Sequence, residues 1–188
     1  MRYNKNISHK TPDVLERMSS MLYPYLNQHP VVADDARVFP TAAVIGDVTL
    51  KSRVSIYFQC VVRGDMSSVF IDEDTNIQDG TIIHTDTNKP THIGKRVTVG
   101  HAAIIHAATI EDDALIGMGA IVLDGATIGK QAFVAAGTLV PPGKTVPPQT
   151  MAMGNPMKIV RTLDESTLEA MRQNNAVYLD LLKDYQNT

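Results

Sequence analysis

The sequence predicts a mainly β protein: a parallel β-helix of about six coils, with an α-helix packed alongside at its C-terminal end. Three observations carry this. Aliphatic residues recur every six positions through the middle of the chain, small and turn-forming residues hold fixed places between them, and the spacing changes to three and four near the C-terminus.

The repeat runs through Val38, Val44, Leu50, Ile56 and Val62, then Ile71, Ile77 and Ile83, then Ile93, Val99 and Ile105. It continues through Ile110, Ile116, Val122, Ile128, Val134, Val140 and Val146. These eighteen residues, three to a coil, make about six coils. The count slips in three places: three extra residues before Ile71, four before Ile93 and one missing before Ile110. With the aliphatic residue as position one, position five is small, as at Ala42, Cys60, Thr81, Ala103, Ala120 and Ala132. Position four is rich in Gly and Asp, which tolerate the positive φ of a tight corner. A β-branched residue, a turn and a small residue describe a short strand and a corner. Three such units close a triangle, and triangles stack at about 4.8 Å. A β-sandwich has no reason to keep a six-residue period, and hairpin dipeptides are missing.

The flanks differ. Residues 1–33 form an N-terminal extension without the repeat, where Thr11-Pro12-Asp13 followed by Val14, Leu15, Met18 and Leu22 suggests a short helix. The β-helix occupies 34–150, and 151–188 is a linker and a C-terminal helix. In that helix Leu168, Met171, Asn175, Tyr178, Leu182 and Tyr185 form one face, and Ser166 with Glu169 would make a capping box.

Composition narrows the function. A net charge of −3 gives no electrostatic reason to expect nucleic acid or an anionic membrane as partner. No apolar run suits a signal peptide or a membrane span. The single cysteine, Cys60, cannot form an intrachain disulfide, and it sits at a small-residue position that reads as packing. A cytoplasmic protein is expected.

The register sorts the histidines. His84 and His106 are both position two, one full coil apart, so their imidazoles stack on one face. Arg63 holds the same place one coil earlier. His101 is at position three on another side of the triangle, above Asp79, a candidate to orient it. One chain does not easily bring His101 round to the other two, but a threefold neighbour does. Three histidines and a water are the arrangement of catalytic zinc, in which the water has a pKa of about 7. His9, His29 and His92 lie outside the column. A homotrimer with one divalent metal per chain is therefore expected.

The segments Val62-Arg63-Gly64-Asp65, Asn76-Ile77-Gln78-Asp79-Gly80, His84, Gly100-His101 and His106 closely resemble the gamma-class carbonic anhydrase family, from about residue 31 to the C-terminus. The six-residue unit is similar to the hexapeptide-repeat families. That likeness implies a left-handed coil, against the usual crossover rule. The resemblance implies that His84, His101 and His106 bind the metal, with zinc expected and iron(II) or cobalt as the other choices. It further implies an ion pair of Arg63 and Asp65 across the subunit boundary, and Gln78 orienting the hydroxide or the substrate. An asparagine of the C-terminal helix, Asn174 or Asn175, would line the pocket. The implied activity is that of a carbonate dehydratase lyase: reversible hydration of CO2 to bicarbonate by a metal-bound hydroxide at the trimer interface.

The chain departs from the best-characterised members in three ways. Met66 stands where they carry a glutamate, Thr85-Asp86-Thr87-Asn88-Lys89-Pro90 replaces an acidic loop, and tryptophan is absent. It resembles the shorter, loop-lacking subgroup. Two other readings remain open from the residues. One is a trimer whose metal is not catalytic. The other is a hexapeptide acyltransferase using acyl-CoA, which shares the Gly154-Asn155-Pro156 exit motif but relies on a single histidine in a long loop.

Overall fold

The computed structural model describes residues 21–186. The short helix expected from Thr11 falls outside them, except for Leu22, which lies in the strand Met21–Tyr23. Each repeat unit is a strand of two or three residues followed by a corner, and the strands stack in parallel register on three flat faces.

The first face stacks Arg37–Val38, Ser55–Ile56, Asn76–Ile77, Thr98–Val99, Leu115–Ile116, Phe133–Val134 and Thr150–Met153. The second runs from Met21–Tyr23 through Ile82–His84 and Ile104–His106 to Ile121–Val122 and Leu139–Val140. The third runs from Val31–Val32 through Thr91–Ile93, Thr109–Ile110 and Thr127–Ile128 to Thr145–Val146. The strands Ala43–Leu50 and Val61–Ile71 pass round the corner and serve both of the last two faces. All eighteen repeat positions keep the expected register. Strands centred on Leu22, Val32 and Ala152 extend the stack to about 7 turns of a left-handed parallel β-helix.

Every aliphatic residue of the repeat from Val44 to Val146 is buried, and together they form one continuous core column per face. β-Branched side chains suit this interior, because rigid χ1 rotamers let identical residues stack rung on rung. Each fully buried Ile or Val contributes about 1.5–3 kcal/mol of transfer free energy. Most corners follow one rule. The position-five N–H bonds the position-two carbonyl, as in Ala120 to Gly117 (3.1 Å) and Ala126 to Leu123 (3.0 Å). Position four between them takes a positive φ. Glycine meets this at Gly119 and Gly125, yet Arg53, Gln59, Arg96 and Gln131 adopt the same conformation. Coil closure therefore imposes the corner. Along one edge the side chains repay it, through Arg53 to Asp74 and Arg96 to Asp113, each at 2.6 Å.

Helix α1, Glu165–Gln186, covers the first face. The capping box expected from Ser166 and Glu169 gives way to Asp164, whose carboxylate accepts hydrogen bonds from the Thr167 N–H (2.9 Å) and from the Thr167 and Ser166 hydroxyls. Leu168 and Met171 pack with Leu163 against Leu115, Phe133 and Met151. Further along, Tyr178 meets Tyr57 edge-on and Tyr185 meets Phe39. The helix thus runs antiparallel to the direction of coil growth. No helix among the described residues is long and apolar enough to cross a membrane.

Candidate metal centre

The site is built on the second face, where strand pairing fixes His84 opposite His106. Their facing nitrogens, His84 Nδ1 and His106 Nε2, are 3.2 Å apart. Several backbone bonds hold the His84 end. Its carbonyl accepts from the Ala107 N–H (3.0 Å) and from the buried Thr91 hydroxyl (2.7 Å). The turn that follows, Asp86 to Lys89, is closed by two backbone hydrogen bonds and an ion pair between its ends.

Each imidazole has a carboxylate on its outer nitrogen. Asp65 Oδ1 lies 2.9 Å from His84 Nε2, and Asp124 Oδ2 lies 3.2 Å from His106 Nδ1. Carboxylates only accept, so both outer nitrogens carry hydrogens, and in the neutral imidazoles the lone pairs then fall on the two inner nitrogens. Two inward lone pairs at this distance can take one cation between them. A divalent metal with bonds of roughly 2.0–2.1 Å at a tetrahedral angle holds its nitrogens about 3.3–3.4 Å apart, close to the span observed. Two borderline-soft nitrogen donors, fixed and half-buried, fit zinc or iron(II).

Arg63 sits one coil below in the same column and donates to Asp65. This contact lies within one chain. Burial alone would raise the Asp65 carboxyl, but hydrogen bonds from His84 and Arg63 outweigh it and hold the group below its usual value.

His101 lies elsewhere, at the corner after the strand Thr98–Val99 on the first face. Its Nδ1 is 3.0 Å from Asp79 Oδ2, and its Nε2 is 3.5 Å from the Tyr178 hydroxyl of α1. Burial, and then the nearby Asp79 carboxylate, push the Tyr178 phenol above its ordinary value, so it stays a neutral donor. Among the described residues of a single chain, no three His, Cys, Asp or Glu side chains converge to hold a metal.

Gln78 is 4 % exposed, and its amide donates to Asn76 (3.1 Å), which in turn donates to Thr98 (3.0 Å). Asn175 is buried and donates to the Asp74 carbonyl at 2.9 Å, while Asn174 is exposed. Cys60 is packed inside, and burial pushes its thiol up to about 12. Asp124 and Tyr178 are the two neighbours that sequence reasoning did not mark as site residues. Asp124 carried a usable signal: it follows Leu123, the residue one coil above His106 in the same column. Tyr178 carried only its place on the packing face of α1.

Comparison with known proteins agrees with this architecture. Residues 107–142 match the bacterial transferase hexapeptide (six repeats) family. The chain is 44% identical over 160 residues to a protein of Geobacillus kaustophilus named carbonic anhydrase, covering 85% of this chain and 88% of that one. It is 39% identical over 180 residues to the mitochondrial gamma carbonic anhydrase 2 of Arabidopsis thaliana, covering 93% of this chain and 64% of that protein. Among solved structures, a hexapeptide transferase family protein from Anaplasma phagocytophilum superimposes with a TM-score of 0.86 at 37% identity, over 89% of this chain and 99% of that one.

Proposed function

The chain belongs to the gamma-class carbonic anhydrase family, and from that premise we propose that it hydrates CO2 reversibly at metal sites shared between the subunits of a homotrimer. The observation that carries this reading is the His84–His106 pair, whose inner nitrogens converge at 3.2 Å with a carboxylate behind each ring.

The surface around the pair supports the trimer. Outward-facing residues of the second face are Ala43, Val61, Ile82, Ile104, Ile121 and Leu139, an aliphatic ladder that helix α1 leaves uncovered among the described residues. Ile82 is 44% exposed. A continuous apolar strip on an uncovered face marks an interaction surface. Threefold packing of this face on the neighbour's His101 corner joins His84 and His106 to the partner's His101. It buries the ladder at the same time.

When bound, the divalent metal supplies an acidified water that can attack CO2 at neutral pH. The chain's own groups do the rest. Asp65 and Asp79 hold His84 and His101 on their outer nitrogens. Arg63 keeps Asp65 ionised and places a guanidinium beside the pair. Gln78, fixed by Asn76, comes with His101 and Tyr178 from the partner's side and orients the reacting water or substrate. Asn175 anchors α1 to the coil one helical turn before Tyr178. The ladder excludes water from one side of the site. With Met66 following Asp65, the proton leaves through solvent rather than through a glutamate.

The test is metal content and CO2 hydration on protein purified without oxygen and reloaded with zinc or iron(II). About one metal per chain together with hydration is expected. Metal without hydration would leave the site standing and remove this reaction. No metal would overturn the reading.

A further inference from the structure

We propose that Asp124 is a positioning residue for the metal centre, holding His106 in the one tautomer that can bind. The inference rests on the proposed metal reading, but one of its tests does not need a metal.

Asp124 is in the corner that follows Ile121–Val122. That corner is tied to the coils on both sides: the Gly125 N–H donates to the Ala107 carbonyl (2.7 Å), and the Gly143 N–H donates to the Asp124 carbonyl (2.8 Å). Ala107 directly follows His106, so the carboxylate and the imidazole are fixed to the same short piece of backbone. Asp124 Oδ2 then meets His106 Nδ1 at 3.2 Å, with both side chains about one-third exposed (30% and 31%).

A neutral imidazole has one hydrogen and two nitrogens to choose from. A carboxylate at Nδ1 stabilises the form with the hydrogen there, and the lone pair then falls on Nε2, the nitrogen aimed at His84. Without Asp124, the hydrogen moves freely to Nε2 and blocks the ligand position. His84 and His101 already have such partners in Asp65 and Asp79. Asp124 gives the third ligand its own.

Two measurements test this. Nitrogen-15 NMR of the metal-free protein, recorded at a pH where His106 is neutral, should show the Nδ1–H tautomer of His106 in the wild type. Asp124→Ala should give a mixture dominated by Nε2–H. A wild-type His106 in the Nε2–H form overturns the proposal whether or not the protein binds metal. Zinc affinity, measured by chelator competition, should weaken about 10- to 100-fold in Asp124→Ala, with partial rescue in Asp124→Asn, whose amide oxygen can still accept. His106→Ala should abolish that site, and the remote Asp180→Asn should bind like wild type. Wild-type zinc affinity in Asp124→Ala, with a wild-type melting curve for the metal-free trimer, overturns the proposal while leaving the metal reading intact. Equal affinity in wild type and His106→Ala would instead remove the metal reading.

Discussion

The second and third faces of the prism share one interior and differ on the outside. Facing inward, both stack Ile, Val and Leu, fully buried rung after rung. Facing outward, the second face presents Val61, Ile82, Ile104, Ile121 and Leu139, with His84 and His106 beside them. The third presents Thr49, Phe70, His92, Thr109, Thr127 and Thr145. Threonine has the β-branched shape that strands favour and a hydroxyl that water satisfies, so the third face is finished in solvent. An aliphatic ladder satisfies the strand equally well but leaves apolar area exposed. His92 shows the same contrast. It is exposed and stacked on Phe70 with ring centroids 5.1 Å apart, and among the described residues no carboxylate is hydrogen-bonded to it. Both imidazoles of the second face have one.

This difference can be broken at the ladder. Ile104→Asp puts a carboxylate where the proposed interface closes, at a cost of several kcal/mol for each unpaired buried charge. Light scattering should find it dissociated and metal analysis should find it depleted. Thr127→Asp, a similar change on the third face, should remain trimeric with wild-type metal. Next in size is His106→Ala, which should lose the metal and lower CO2 hydration on the order of 100-fold or more while staying trimeric. His92→Ala should alter neither quantity.

The interior should not distinguish the faces. Ile105→Ala on the second and Ile128→Ala on the third should each cost about 2–5 kcal/mol, because each leaves a cavity in the same kind of column. Thermal denaturation should fall by about 2–4 °C per kcal/mol in both. A clearly larger loss for either would mean that its face is not simply a wall of the common core.

The smallest effect is expected on the first face, which α1 covers. Hydrogen bonds from the Thr167 hydroxyl and backbone, then from Ser166, hold the Asp164 carboxyl at about 2. A carboxyl lowered by folding stabilises above its unfolded range and loses that contribution as pH falls toward 2. Asp164→Ala should therefore melt slightly lower than wild type at pH 7, and the gap should close in acid.

The fold was legible because a triangular coil repeats its constraints every six residues, and eighteen aliphatic positions kept step despite three slips. The column of Arg63, His84 and His106 followed from the same count. Legibility failed where side chains reach between elements with no fixed spacing. Tyr178 meets His101 across 77 residues, and only the docking angle of α1 makes them neighbours. The helix cap fell to Asp164 and not Ser166, because a carboxylate there can take three hydrogen bonds at once. Ala152 was missed because alanine does not stand out as a core residue, though it completes the last rung of the first face. The ladder was visible as letters but acquired meaning only once the structure showed that α1 covers a different face.

In the proposed trimer the metal site is shared, with His84 and His106 from one chain and His101 from the next. Subunit complementation tests it most directly. His84→Ala and His101→Ala should each be inactive as pure trimers, since every site lacks one ligand. Unfolded together and reassembled at equal ratio, they should form mixed trimers in which one site is whole, restoring about a quarter of wild-type metal and hydration activity. Recovery near that level is the predicted result. No recovery in trimers shown to be mixed, or full activity in pure His101→Ala, would contradict a site built between chains.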